Sequence, residues 1–251
     1  MINKNKLVIG VQCRISSSRL PGKALLKLED TTVLGMCLTR AILSGYQVYL
    51  LTSEEKSDDI LETEARNLGV DGIIRGSLKN VLSRFISLSN KTDADYIIRV
   101  TADNPLTEFR FINELSNFVI SKNYLYATMN NKICPEGTNL EIFSSKALKD
   151  SFKNDKSEEN LEHVTSHMRE ISIKEQFLIN NYLGYKNNQY EKMSFTIDNL
   201  EDYVKVSKLI KKVKKEYNCD WRKDDFVSLI INYIKLKGTE FYTTRNHPLE
   251  N

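Results

Sequence analysis

The chain has 251 residues, 41% hydrophobic and 27% charged, and its 36 basic and 33 acidic side chains leave a net charge of +3. That length can bury a full core, and the composition is ordinary for a water-soluble globular protein. The even charge balance gives no reason to expect a nucleic-acid partner, and no apolar run approaches the roughly 20 residues that cross a bilayer.

The first apolar run, Leu7–Val11, is too short for the core of a signal peptide and reads as a buried strand, so the expected compartment is the cytoplasm. It leads into Gln12-Cys13-Arg14-Ile15-Ser16-Ser17-Ser18-Arg19-Leu20-Pro21-Gly22-Lys23. Three cations, three hydroxyls and a Pro-Gly break lie close together there. Arginine offers a planar fork of donors and lysine a compact charge, while hydroxyls such as Ser17 and Ser18 and free backbone N–H groups fill the remaining phosphate lone pairs. On composition alone the same stretch is a solvated turn. It is not a Walker A loop, because Ser17 and Ala24 stand where that pattern needs glycine and Ser/Thr.

Strand-like runs follow at Gln47–Thr52, Gly72–Ile74, Tyr96–Val100 and Tyr124–Thr128. Between them the periodicity predicts helices at Thr32–Leu43, Asp58–Leu68, Leu78–Leu88 and Glu108–Ile120, with Ser57 as the N-cap of the second and Gly69 as its stop. The alternation predicts an α/β fold, a mostly parallel sheet with helices on both faces and ligands at the carboxyl ends of its strands. Asp103 falls just past the strand Tyr96–Val100, at that edge. A carboxylate there suits Mg²⁺, a hard cation that often bridges to phosphates; alternatively Asp103 or Asn104 only starts a turn before Pro105. Asp93-Ala94-Asp95 matches the DxD of metal-dependent glycosyltransferases but precedes the strand, at the wrong end of the sheet.

Beyond residue 130 the alternation loosens. Leu140–Phe143 reads as a strand, Ser145–Phe152 as a helix, 153–160 as a polar loop, Leu161–Arg169 as a helix, and Ile171–Ile179 and Lys192–Ile197 as strands. His163 and His167 are spaced i, i+4, but Val164 stands where a zinc-protease motif carries glutamate; an ordinary helix face, or one histidine near a ligand, fits better. Asp198 follows a strand and precedes a helix, and with Glu201 three residues on it also fits a helix cap. The helix Leu200–Tyr217 is expected to bury Leu200, Val204, Leu209, Ile210 and Val213 and to leave most of its lysines solvated; Phe226–Leu236 is a last apolar helix. Four scattered cysteines offer no zinc site or disulfide framework. One domain over 1–236 with a polar tail over 237–251 is expected, and an exposed strand edge or the C-terminal helices could form a homodimer.

Six segments together resemble the cytidylyltransferases of the spore-coat polysaccharide biosynthesis protein F group, which is related to the enzymes that make CMP conjugates of sialic-acid-like sugars and 3-deoxy-octulosonate. Gln12 to Lys23 resembles Q-A-R-x-x-S-x-R-L-P-G-K, with Cys13 in place of the alanine. Arg75 to Phe85 resembles R-G-S-x-x-x-V-L-x-R-[FY], and Arg99 to Leu106 resembles R-x-T-[GA]-D-x-P-L. Pro135 to Phe143 is similar to P-D-G-x-D-V-E-V-F, with Glu136 and Asn139 replacing aspartates. Glu162-His163-Val164-Thr165 matches E-H-V-T, and Ile197 to Asp202 resembles V-D-T-P-E-D.

The resemblance implies a Rossmann-like nucleotide-diphosphosugar transferase fold, CTP as donor, Mg²⁺ as cofactor and a sugar acid or phosphorylated small molecule as acceptor. It implies that Arg14, Arg19 and Lys23 hold the triphosphate, with Gln12, Ser17, Ser18, Gly22 and Thr101 around the nucleotide and the turn Arg75, Gly76, Ser77 bordering the base. Asp103 and Asp198 would hold the metal, and Asn139, Glu141 and His163 would face the acceptor. Arg84 and Arg99 could instead be structural salt-bridge partners. Two other readings are a glycosyltransferase using a nucleotide sugar and a non-catalytic nucleotide-binding protein.

Overall fold

The computed structural model describes residues 7–129, 134–171, 176–177, 193–223 and 225–237. At its centre lies β1 (Leu7–Gln12), paired in parallel with β4 (Gln47–Ser53) on one side and β6 (Tyr96–Thr101) on the other. The short hairpin β2 (Lys27–Leu28) and β3 (Thr31–Thr32) stands apart from the main sheet. Beyond β4 comes β5 (Gly72–Gly76), also parallel. Beyond β6 come β8 (Glu141–Ser144) and β7 (Tyr126–Met129), each antiparallel to its predecessor, then β9 (Gln176–Phe177), giving the order β5-β4-β1-β6-β8-β7-β9.

β1 is apolar on both faces, as a strand covered from both sides must be. Leu7, Ile9 and Val11 join one core cluster with Leu34, Cys37 and Leu38 of α1 (Val33–Leu43), Leu61 and Ala65 of α2 (Asp59–Leu68), and Leu115 and Val119 of α4 (Ile112–Lys122). Val8 joins a second cluster with Leu82, Phe85 and Leu88 of α3 (Val81–Thr92) and Ala147 and Leu148 of α5 (Ser145–Asn154). The expected helices on both faces are therefore present. Gly10 is glycine because α3 presses close: a Cβ there would meet Phe85 Cε1 at 2.8 Å.

A third cluster joins α8 (Leu200–Tyr217) and α9 (Phe226–Lys237) to the hairpin, the start of α1 and the extended segment before Asp198 through Leu28, Val33, Phe195, Ile197, Leu209 and Trp221. No helix among the described residues is long and apolar enough to cross a membrane.

Several expectations need correction. Ser57 does not cap α2; it lies in a 3₁₀ turn, Lys56–Asp58, although Gly69 ends α2 as expected, at φ 80°. The single helix expected over Leu161–Arg169 is two, α6 (Glu158–His163) and α7 (Ser166–Ile171), separated at Val164. Val164 has φ 68° and ψ −46°, and Thr165 N–H donates to the His163 carbonyl at 2.7 Å, a tight γ-turn that a β-branched residue rarely adopts. Burial of Val164 and a bond from the Thr165 hydroxyl to Glu141 fix it there. The polar loop expected over 153–160 is shorter, because Ser157 caps α6 by accepting from Asn160 N–H.

On α8 the buried face begins with Asp202 and Val206; Leu200 and Val204 are exposed, because Asp202 turns inward to complete a capping box with Asn199. Residues 193–197 form only an isolated bridge, Glu136 to Ser194, and Lys192 lies outside the described residues. Of the expected strand Ile171–Ile179, Ile171 is helical, Gln176–Phe177 forms β9, and the rest lies outside the described residues, as does the tail beyond Lys237.

Candidate active site

The loop after β1 is anchored at Cys13 and Ile15. Cys13 N–H continues the sheet pairing to the Leu51 carbonyl at 3.0 Å, and the Ile15 carbonyl accepts from Ser17 N–H at 2.9 Å and Gly22 N–H at 3.0 Å. Ile15 N–H donates to Asp58 Oδ1 at 2.9 Å. Asp58 Oδ2 in turn accepts from the Thr52 hydroxyl at 2.9 Å and from Ser53 N–H at 3.0 Å. Burial opposes the charge on Asp58, but the hydrogen bonds from Ser53, Ile15 and Thr52 outweigh it and hold its carboxyl below the usual range. Asp58→Ala strands these donors, and we expect it to cost about 2–3 kcal/mol and to raise KM for the loop's ligand; a chemical-denaturation midpoint unchanged from wild type would show that the anchor is idle.

Gly22, at φ 73°, turns the chain into a 3₁₀ turn, Lys23–Leu25. The left-handed conformation explains a glycine directly before the lysine. Lys23 Nζ then donates to Asp103 Oδ2 at 2.7 Å, to the Ile197 carbonyl at 2.8 Å and to Asp198 Oδ1 at 3.3 Å. The two aspartates are brought together by the backbone: Ile197 N–H donates to the Asp103 carbonyl at 2.9 Å. Neither carboxylate is a local cap. Asn104 makes the turn after β6, its amide donating to the Thr101 hydroxyl at 2.8 Å, and Asn199 caps α8. Arg19 reaches Asp198 at 3.0 Å, and Arg14 pairs with Glu162 at 2.8 Å.

These side chains line one cleft of ≈ 290 Å³ at the carboxyl ends of β1 and β6. Of the residues singled out from sequence, Gln12, Arg14, Ser17, Ser18, Arg19, Lys23, Thr101, Asp103, His163 and Asp198 all line it. Others do not. Arg75 is directed away, bonding Asp59 at 2.5 Å, Glu62 at 3.2 Å and the carbonyls of Ser53 and Glu55. The expected turn is not one, because Arg75 and Gly76 end β5; Gly76 and Ser77 are also absent from the lining, whereas Arg84, whose guanidinium donates to the Ser77 carbonyl at 3.0 and 2.9 Å, does line the cleft. Arg84 is thus held by carbonyls and not by the salt bridge that was its alternative reading. Gly22 shapes the turn without lining the cleft, and Asn139 is also absent from the lining.

Glu141 stands one layer behind. The β6–β8 register places it opposite Arg99, which it binds at 2.5 Å, and it also accepts from Arg169, from the Tyr126 hydroxyl at 2.9 Å and from the Thr165 hydroxyl at 3.3 Å. Burial alone would raise its pKa, but Arg99 and Arg169 pull it down to about 2. Arg99 passes the order on, donating to Gln12 Oε1 at 3.0 Å and leaving the Gln12 amide donors for the cleft. Cys13 also lines the cleft, but burial and the nearby Asp103 push its thiol pKa up, so it is no ready nucleophile. His163 and His167 fall on different helices, and among the described residues no cluster of three or more His, Cys, Asp or Glu could hold a metal.

Glu162 and Asp58 are missing from the sequence-derived set. Glu162 could have been suspected from its place beside His163. Asp58 carried no local signal, since it meets Ile15 across 43 positions.

A family model described as cytidylyltransferase matches residues 8–243. The chain belongs to the cytidylyltransferase family. It is 30% identical to the spore coat polysaccharide biosynthesis protein SpsF of Bacillus subtilis over 225 residues, 83% of this chain and 88% of that protein. A solved cytidylyltransferase from Leptospira borgpetersenii superposes with a TM-score of 0.80 at 27% identity, covering 96% of this chain and 98% of that one. A CMP:2-keto-3-deoxy-manno-octonic acid synthetase solved with CTP shares the fold, with a TM-score of 0.59 at 18% identity over 82% of this chain and 99% of that one. The molecule is thus a nucleotidyltransferase with the fold of this cytidylyltransferase group. The DxD-like Asp93-Ala94-Asp95 lies at the opposite end of its β6, where Asp93 ends α3 in a left-handed conformation.

Proposed function

We propose that this cytidylyltransferase moves CMP from CTP to a sugar acid or a phosphorylated small molecule, releasing pyrophosphate, and that it works in the cytoplasm for surface polysaccharide biosynthesis. The observation that carries the reading is the convergence of Lys23, Asp103 and Asp198 at 2.7–3.3 Å in a cleft also lined by Arg14 and Arg19. In phosphoryl-type transfer the protein supplies position and charge more than covalent chemistry.

Arg14, Arg19 and Lys23 hold the triphosphate and neutralise the departing pyrophosphate. The hydroxyls of Ser17, Ser18 and Thr101 and the Gln12 amide complete the nucleotide contacts. His163 faces the acceptor, and Glu141 keeps that wall ordered through Arg99 and Gln12. The acceptor oxygen attacks the α-phosphorus of CTP, and the bond to the β-phosphate oxygen breaks.

Asp103 and Asp198 fit Mg²⁺: both offer hard oxygen donors, their side chains are 23% and 14% exposed, and two protein carboxylates leave coordination positions for phosphate and water. When bound, such an ion supplies charge neutralisation at the phosphate oxygens.

The test is pyrophosphate release from CTP, with ATP, GTP and UTP as controls, across sugar acids and phosphorylated polyols or amino acids, with the CMP conjugate identified by phosphorus NMR. Turnover with CTP and one acceptor class, reduced by about 10²-fold or more in Asp103→Asn, is the expected result. Binding of CTP with no turnover across the panel would favour a non-catalytic nucleotide-binding role, and nucleotide-sugar hydrolysis exceeding pyrophosphate release would favour a glycosyltransferase.

A further inference from the structure

Lys23 has more partners than its proposed task allows. An ammonium has three N–H donors, and Lys23 directs them at three acceptors: Asp103 Oδ2, the Ile197 carbonyl and Asp198 Oδ1. In this arrangement no donor is left for a phosphate. The carboxylates are committed in the same way. The Lys23 charge bridges both, and Arg19 adds a second cation on Asp198 Oδ1. A divalent ion bridging the two carboxylates would compete with that ammonium for the same oxygens.

We propose that Lys23 is the exchangeable counter-cation of the Asp103–Asp198 pair, so that Lys23 and a divalent ion hold these carboxylates alternately. The inference rests on the metal reading given above. Two carboxylates bonded to one ammonium repel one another, and the cation between them offsets that repulsion. When ion and nucleotide arrive together, the ion takes the carboxylates and the ammonium turns to the phosphates, so every charge keeps a partner. When the ion arrives alone, Lys23 must leave two acidic partners with no phosphate to receive it. Free metal therefore binds weakly, and ion and nucleotide load as a unit.

The geometry favours such an exchange. The bond to Asp198, at 3.3 Å, is the longest of the three and the easiest to give up. The Lys23 backbone is set by the Gly22 turn, so the side chain can change partners while the loop stays in place. Arg19 is 65% exposed and free to swing with it.

The experiment titrates Mn²⁺ alone, without nucleotide, into wild type and Lys23→Met, read by calorimetry or by loss of the free-ion paramagnetic resonance signal. Lys23→Met is expected to bind Mn²⁺ at least about tenfold more tightly than wild type, since close charge pairs couple by that much or more. Lys23→Gln, which is neutral but keeps two N–H donors for Asp103 and the Ile197 carbonyl, should show the same gain if Lys23→Met does not fold. Equal affinities in wild type and the neutral variants overturn the exchange. Asp103→Asn separates this from the parent reading. If it weakens Mn²⁺–CTP binding to the otherwise wild-type protein while neutral variants show no gain, only the exchange fails. If the gain of Lys23→Met survives addition of Asp103→Asn, the ion is held elsewhere and the metal assignment falls with the exchange.

Discussion

Lys23→Ala is expected to lower turnover by about 10³-fold while the protein stays folded. Lys23 is the point where the Gly22 turn, the β6 end and the segment before α8 meet, and its side chain is 13% exposed at the cleft. The change removes the charge and the three directed bonds. Steady-state pyrophosphate release, with a melting curve on the same sample, checks both halves. Turnover within tenfold of wild type, in a folded variant, would remove Lys23 from the reaction. Lys23→Arg should recover little, because a planar fork does not reproduce the three diverging bonds of an ammonium.

Glu141→Gln is expected to cost about 3–5 kcal/mol of stability, the usual range for breaking a buried ion pair by removing one partner. Arg99 is 12% exposed and would be left without this carboxylate, and Arg169 would lose it too. The pH dependence follows from the sign of the shift. The folded pKa is about 2 against an ordinary 4.5, so between those values the unfolded chain binds more protons than the folded one. The contribution of Glu141 is therefore complete above about pH 4.5 and is lost as pH falls toward 2. Denaturant midpoints measured across that window should fall more steeply for wild type than for Glu141→Gln; parallel curves would show that the carboxylate contributes nothing there.

The sheet was legible because buried parallel strands appear as apolar runs: Leu7–Val11 and Gln47–Thr52 fall within one residue or two of β1 and β4. Asp103 was legible because it follows such a run; Asp198 follows the alternating segment before it, which forms only an isolated bridge but still reaches the same edge through the Ile197 bond to Asp103. What sequence could not show was how polar groups divide their bonds across distance. Arg75 sits in the right segment, yet two acidic side chains on α2, Asp59 and Glu62, draw it off. By spacing Asp198 fitted the cap of α8, with Glu201 three residues on; the structure gives the cap to Asn199, with Asp202 turned inward as its partner. The same inward turn shifted the buried face of α8 away from Leu200. At Val164 helical periodicity runs unbroken through the letters, while tertiary packing imposes a γ-turn.

The joining of Asp198 to Lys23 across 175 positions also bears on the timing of synthesis. The approach of Ile197 to Asp103 depends on a core that includes Trp221, Phe226 and Ile230. A nascent chain that has released β1 to β6 from the ribosome already carries the cationic loop and one carboxylate, but the second arrives only when α8 and α9 have emerged and packed. Until then the growing polypeptide can present a phosphate-attracting surface without a complete reaction centre, so competence waits for α8 and α9.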